Sequence, residues 1–244
     1  MEASSVFHPE GPTFKELTIQ ALSSTTRGYD LIAPKFEHTP FRTPDGILKP
    51  LMALIGSPGS IDDGLDVCCG TGAGMQALRP LCRRSIAGVD LSDGMLQQAR
   101  ARMDERPELA PATLTQRDAL DLGFDAEFDV ATCFGAFGHI LPEDQDRFIA
   151  GIFKALRPGG RFVFVTRQTP GLTSRTFWVY HGFNAVMKVR NAVLKPPFIM
   201  YYLIFTLPRA LEVLTRQGFQ VEVHDIFSEP YHNMRAVVAT RPRT

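Results

Sequence analysis

Three glycines at alternate positions, Gly70, Gly72 and Gly74, follow directly on an apolar segment that ends in Asp66-Val67-Cys68-Cys69. Glycine at such a place lets the backbone approach a ligand without Cβ clashes. A helix that starts there turns its positive N-terminus toward a negative group such as a carboxylate. A second apolar segment ends in Asp90, twenty residues beyond Gly70. A strand-terminal carboxylate at that distance can accept both ribose hydroxyls of an adenosine. The pair predicts a nucleoside site at the carboxyl edge of a parallel sheet. A dinucleotide site is not the match, because its fingerprint G-x-G-x-x-G would need glycine where Met75 stands.

The elements that must hold such a site are legible around it. Gly64–Cys68, Ser85–Asp90, Ala112–Gln116, Phe128–Phe134 and Arg161–Thr166 read as strands. Between them run a helix at Gly74–Leu81, one capped by Ser92 through Met95, Leu96 and Ala99, and one opened by Pro142-Glu143-Asp144 that closes at Arg157-Pro158-Gly159-Gly160. Strands separated by crossover helices imply a doubly wound parallel sheet. A helix at Pro208–Gln217 and two closely spaced strands, Phe219–Asp225 and Arg235–Thr240, predict a closing antiparallel hairpin. Upstream, helical patterns occur at Phe14–Leu22 and Tyr29–Phe36. A third helix starts at Thr43-Pro44-Asp45, carries Ile47, Leu48, Leu51, Leu54 and Ile55 on one face, and stops at Gly56 and Pro58.

The expected fold is therefore α/β. It is a doubly wound, Rossmann-like, seven-stranded and mostly parallel sheet with an antiparallel last strand, N-terminal helices and a helical cap inserted after strand five. Residues 1–244 read as one domain: 1–58 an N-terminal helical segment for substrate, 59–166 the cofactor core, 167–207 the cap, and 208–244 the final helix and hairpin.

At this point the residues resemble the class I S-adenosylmethionine (SAM)-dependent methyltransferases. Leu65-Asp66-Val67-Cys68-Cys69-Gly70-Thr71-Gly72 looks like the first motif of that family, and Val89-Asp90-Leu91-Ser92-Asp93-Gly94-Met95-Leu96 like its second. Arg117-Asp118-Ala119 matches the third, and Leu156-Arg157-Pro158-Gly159-Gly160-Arg161 the motif before strand five. The resemblance implies SAM as cofactor. It would place the Gly70-Thr71-Gly72 backbone at the methionine part, Asp66 near its amino group, and Asp90 on the ribose. Leu91 and Met95 would sandwich the adenine, Asp118 would meet its amino group, and the Ala119 amide a ring nitrogen. Backbone around Cys133 and Phe134 would contact the methionyl ammonium. Taken singly, Asp118 reads as a turn acid and Met95 as a core residue; the register of the motifs speaks for the binding roles.

Within that superfamily the chain resembles the quinone-biosynthesis and related small-molecule enzymes, through Tyr29-Asp30 and the Gln217-Gly218-Phe219 step. The cap adds Phe177, Trp178, Tyr180, Phe183, Phe198, Tyr201, Tyr202 and Phe205. Eight aromatics in one insertion point to an apolar or aromatic small-molecule acceptor, with O- or C-methylation favoured. Each of them alone reads as packing between cap and sheet. Such a nucleophile can need its proton removed. His139, after strand four, is the first candidate base, or else a histidine that fixes its loop by a hydrogen bond. Tyr29 is a second catalytic candidate, with His38 and His181 behind it; His8, His224 and His232 read as surface or strand residues.

Composition bounds the alternatives. Lys+Arg and Asp+Glu are equal at 26 each, which gives no global basic footprint for nucleic acid. Arg100, Arg102 and Arg106 are the one local basic candidate. Cys133-Phe134-Gly135-Ala136 lacks the Asn/Asp-Pro-Pro-aromatic motif of the amino-methylating relatives. A SAM-binding module without activity, working through a partner, is the remaining alternative. The four cysteines suit neither a zinc site nor a disulfide framework and read as buried thiols in a reducing compartment, with no metal expected. Met1–Gly11 shows no apolar leader, and Phe198–Leu207 is too short to span a membrane, although it could dip into a bilayer surface between Lys195 and Arg209. The expectation is a cytoplasmic monomer or homodimer.

Overall fold

The computed structural model describes residues 7–243. The leader-free reading of Met1–Gly11 lies, for residues 1–6, outside the described residues. Seven strands form one sheet in the order β3-β2-β1-β4-β5-β7-β6. They are β1 (Ile61–Val67), β2 (Cys82–Asp90), β3 (Ala112–Gln116), β4 (Phe128–Cys133), β5 (Leu156–Arg167), β6 (Gln220–His224) and β7 (Met234–Thr240). β7 runs antiparallel to both of its neighbours, β5 and β6, and the other pairings are parallel. The expected doubly wound sheet with an antiparallel last strand is present. From β1 the chain winds outward through β2 and β3, then returns to the other side at β4. The carboxyl ends of β1 and β4 therefore flank the switch point, where open α/β sheets bind ligands.

The helices are α1 (Phe14–Leu22), α2 (Thr25–Ile32), α3 (Asp45–Ile55), α4 (Ala73–Leu78), α5 (Asp93–Asp104), α6 (Gln145–Ala155), α7 (Arg175–Val193) and α8 (Leu207–Arg216). Several bounds move from expectation, for local reasons. α4 gives way to a 3-10 turn at Arg79–Leu81, since Pro80 has no N–H to continue the α ladder. α2 likewise passes into a 3-10 turn, Ala33–His38, at Pro34. Pro142–Asp144 form a turn ahead of α6 rather than its first residues, the Asp144 N–H donating to Leu141 O at 2.9 Å. β5 begins at Leu156, paired with Phe128, and the register shift before Val130↔Arg161 absorbs Gly159 with its φ of 84°.

Two apolar layers cover the sheet. Phe148, Ile149 and Ile152 of α6 pack with Ala210, Val213 and Leu214 of α8 on one face. Leu51, Ile55, Met75, Leu78 and Leu96, from α3, α4 and α5, cover the other. Gly88 on β2 is needed for that second layer, because a Cβ there would lie 2.3 Å from Met75 Sδ.

Beyond β5 the cap consists of α7 and an irregular strap, residues 194–206. Two asparagines of α7 stand in for a strand partner. Asn184 Nδ2 donates to Tyr202 O (2.7 Å) while its Oδ1 accepts from Tyr202 N (2.8 Å). Asn191 does the same for Phe198, at 3.0 and 2.9 Å. The strap is also tied by Tyr201 N–H to Gly138 O and by Ile199 N–H to Thr25 Oγ1. Phe198, Phe205 and Leu207 are buried by this arrangement. The expectation that Phe198–Leu207 could dip into a bilayer is thereby corrected: the asparagine clamps turn the segment inward. Among the described residues no helix is long and apolar enough to cross a membrane.

Candidate functional site

The loop after β1 is built on left-handed backbone at Cys68 (φ 57°), Gly70 (φ 53°) and Gly72 (φ 83°). Each glycine has a different function. A Cβ on Gly70 would meet nothing within 4 Å, so its open side faces the cavity. On Gly72 it would press Ala99 Cβ at 3.1 Å, so this glycine lets α5 approach. On Gly74 it would fall 2.5 Å from Asp66 Oδ2 and 2.7 Å from Phe134 Cδ2, which no residue but glycine permits.

Two carboxylates bracket the loop. Asp90, at the end of β2, accepts the Gly70 N–H on Oδ2 and the Ser92 N–H on Oδ1, both at 2.9 Å. Burial pushes its pKa up, against those two backbone donors. Asp66, at the end of β1, is 2 % exposed and accepts from Thr132 Oγ1 at 2.8 Å. Burial drives its pKa up to about 7. A buried carboxyl with that pKa, open to a cavity, is suited to meet a cation.

The N-terminal segment closes over the loop. Glu37 accepts from Thr71 Oγ1 (2.5 Å), Arg42 Nε (2.9 Å) and Arg102 (2.6 Å). Asp30 accepts from Ser92 Oγ (2.5 Å) and Gly94 N–H (3.0 Å), which fastens α2 to the start of α5.

These parts enclose a cavity of about 810 Å³ that runs from the glycine loop to the cap. Of the residues singled out in the sequence, Tyr29, Asp66, Gly70, Thr71, Asp90, Leu91, Met95, Asp118, Ala119, Phe134 and His139 line it. Gly72 and Cys133 do not: Gly72 faces α5, and Cys133 is fully buried in the core of the sheet. Asp118 accepts the Leu120 N–H at 2.9 Å, so it is a turn acid as well as a wall residue. Met95 is 2 % exposed, packs with Ile32 and Ala33, and still reaches the cavity. Of the eight cap aromatics, only Tyr180 and Tyr202 line it, stacked on each other at 4.6 Å between centroids. Phe205 instead stacks on Phe137 at 4.4 Å, and Trp178 is exposed. The remaining aromatic wall is Phe36 and Phe41 of the N-terminal segment, which sequence reasoning missed, as it missed Glu37.

At the acceptor end Tyr29 and His139 form a pair with defined proton positions. His139 Nδ1 lies 2.5 Å from the Ile199 carbonyl, which can only accept, so Nδ1 carries the proton. Nε2 is then free to accept from the Tyr29 hydroxyl at 2.9 Å. Burial lowers the His139 pKa and raises that of Tyr29, so the resting pair is neutral phenol and neutral imidazole. His38 and His181 lie elsewhere: His181 packs on Phe177 at 4.2 Å and His38 stacks on His8 at 4.7 Å. His8, Glu10 and His38 bring ligand-type atoms within 4.8 Å of one another at the surface, outside this cavity.

The arginines Arg100, Arg102 and Arg106 make no open basic stripe. They pair with Asp93 (3.7 Å), Glu37 (2.6 Å) and Glu108 (2.6 Å) respectively.

Residues 65–160 match the family described as "Methyltransferase domain". A demethylmenaquinone methyltransferase of Symbiobacterium thermophilum is 35% identical over 112 residues, 45% of this chain and 44% of that protein. The O-methyltransferase cnsE of Penicillium expansum is 32% identical over 108 residues, 44% of this chain and 38% of that protein. The chain thus spans less than half the length of these two relatives. Among solved structures, the DhpI–SAH complex superposes with a TM-score of 0.65 at 17% identity, over 95% of this chain and 100% of that one.

Proposed function

We propose that this chain binds SAM and transfers its methyl group to an apolar or aromatic small molecule, at oxygen or carbon, as residues 65–160 match the family described as "Methyltransferase domain". The observation that carries the reading is a single cavity that joins the Asp66–Gly70–Asp90 end to the Tyr29–His139 end. In that cavity Asp66 holds the methionyl ammonium, the Gly70 and Thr71 backbone the methionine part, and Asp90 the ribose hydroxyls. Leu91 and Met95 flank the adenine, and Asp118 and the Ala119 amide meet its edge. SAM supplies an electrophilic methyl on a sulfonium.

The chain's own contribution is alignment, exclusion of water and proton handling. An acceptor hydroxyl donates to the Tyr29 oxygen, whose own proton already points at His139 Nε2. As the nucleophile attacks, the proton passes through Tyr29 to the imidazole, and the Ile199 carbonyl stabilises the imidazolium through Nδ1–H. The aromatic wall of Phe36, Phe41, Tyr180 and Tyr202 suits a flat apolar acceptor. Related proteins named for demethylmenaquinone methylation and for O-methylation fit both acceptor chemistries.

The test is calorimetric titration with SAM, followed by methyl-label transfer onto a panel of phenols and reduced quinones. Saturable one-to-one binding and label in at least one aromatic product are expected. Absence of SAM binding overturns the reading; binding without transfer to any acceptor makes the chain a SAM-binding module.

A further inference from the structure

Helix α7 is built with its polar side inward. Asn184 and Asn191 hold the strap and Tyr180 faces the cavity, while the opposite side carries Trp178, Val186, Val189 and Val193. Those four are 65%, 66%, 64% and 75% exposed and share one stripe at helical spacing. Leu172, just ahead of the helix, is 70% exposed. An exposed apolar stripe of this kind marks a contact surface.

Charge identifies what covers it. Residues 167–207 contain no Asp or Glu but hold Arg167, Arg175, Lys188, Arg190 and Lys195, in a chain whose acids and bases balance at 26 each. Arg190 spends its guanidinium on the carbonyls of Ala21, Ser23 and Pro196, and Arg167 lies over the Tyr180 ring, so neither charge is neutralised there. A second copy of the chain meeting this face about a two-fold axis would set cations against cations. A single convex helix offers no groove for a peptide. A flat anionic surface satisfies both the stripe and the charge.

We propose that the outer face of α7 docks on an anionic lipid bilayer, with Trp178 and the valines in the headgroup–acyl boundary and the exposed cations Arg175, Lys188 and Lys195 against lipid phosphates. The helix lies flat there while its inner face roofs the cavity, so the roof of the acceptor site is also the membrane contact.

The test is flotation of the chain with vesicles of phosphatidylcholine alone and of phosphatidylcholine mixed with phosphatidylglycerol. Binding to the mixed vesicles is expected to exceed that to phosphatidylcholine by about tenfold or more, and to weaken with salt. Val189→Asp and Lys188→Glu should each reduce it by about fivefold or more, with SAM affinity as the check that both variants are folded. The proposal is overturned if the wild type ignores the mixed vesicles, or if both variants bind them like the wild type. Sedimentation showing a dimer that Val189→Asp dissolves would overturn it equally, giving the face to a second copy. The readout is vesicle binding, so its failure leaves the methyl-transfer reading untouched.

Discussion

The hydroxyl of Tyr29 and Nε2 of His139 stand 2.9 Å apart although 110 residues separate them in the chain. The N-terminal helices and the loop after β4 therefore share one proton path. Replacing His139 by Gln should lower kcat by about 10²–10⁴ while SAM affinity is kept. Tyr29→Phe should act in the same direction. Burial depresses the histidine below its ordinary 6.5, so the acidic limb of kcat/KM should lie below pH 6.5 and vanish in His139→Gln. Full activity in that variant would reduce His139 to a tie for its loop.

Asp66 gives a pH signature of its own. Its carboxyl titrates at about 7 in place of 3.8 because it is buried. The folded chain thus holds a proton that the unfolded chain releases, and stability falls as pH rises from about 4 to about 7. The full penalty, on the order of 4 kcal/mol, applies above that window. A bound ammonium beside the carboxylate reverses the shift. SAM affinity should therefore rise between pH 6 and 7.5 or so, with proton release seen as a buffer-dependent calorimetric enthalpy. Asp66→Asn should abolish that buffer dependence and stabilise the SAM-free chain at neutral pH.

Asp90 holds the loop and faces the cavity with the same carboxylate. Asp90→Ala should weaken SAM by tenfold or more, about 1.4 kcal/mol at least, with the circular-dichroism spectrum unchanged. Unaltered affinity would remove the ribose assignment.

The asparagine clamps can be read by stability. Asn191→Ala leaves the N–H and C=O of buried Phe198 without their partner, a loss of about 1–3 kcal/mol. Proteolysis should begin in residues 194–206 before the sheet opens. A variant cleaved no faster than the wild type would mean that the strap is held elsewhere.

The sheet and the cofactor half were legible because their signals are local. Phe14–Leu22 and Ala112–Gln116 carry complete periodic patterns, and the observed elements have the same bounds. The spacing from Gly70 to Asp90 reflects one strand–helix–strand unit, and the two residues meet through a hydrogen bond. The acceptor half was not legible in this way. Aromatic content says that rings seek burial, not which surface buries them, and six of the eight cap aromatics do not line the cavity. Phe36 ends the helical pattern that starts at Tyr29, Glu37 and Phe41 lie beyond it around Pro40, and Thr71 meets Glu37 across 34 residues. Nor could the pattern reveal that α7 turns its asparagines inward, since helical periodicity normally assigns valine to the core.

The strap bears on how this fold diversifies. It is held to α7 by the amide side chains of Asn184 and Asn191, and nowhere by a strand register. A register forbids insertions of odd length, whereas two asparagines seven residues apart require only that the helix keep its phase. Residues 194–206 should therefore accept a change of length more readily than a sheet strand would, altering the walls of the acceptor end while Asp90 keeps its hold on the glycine loop.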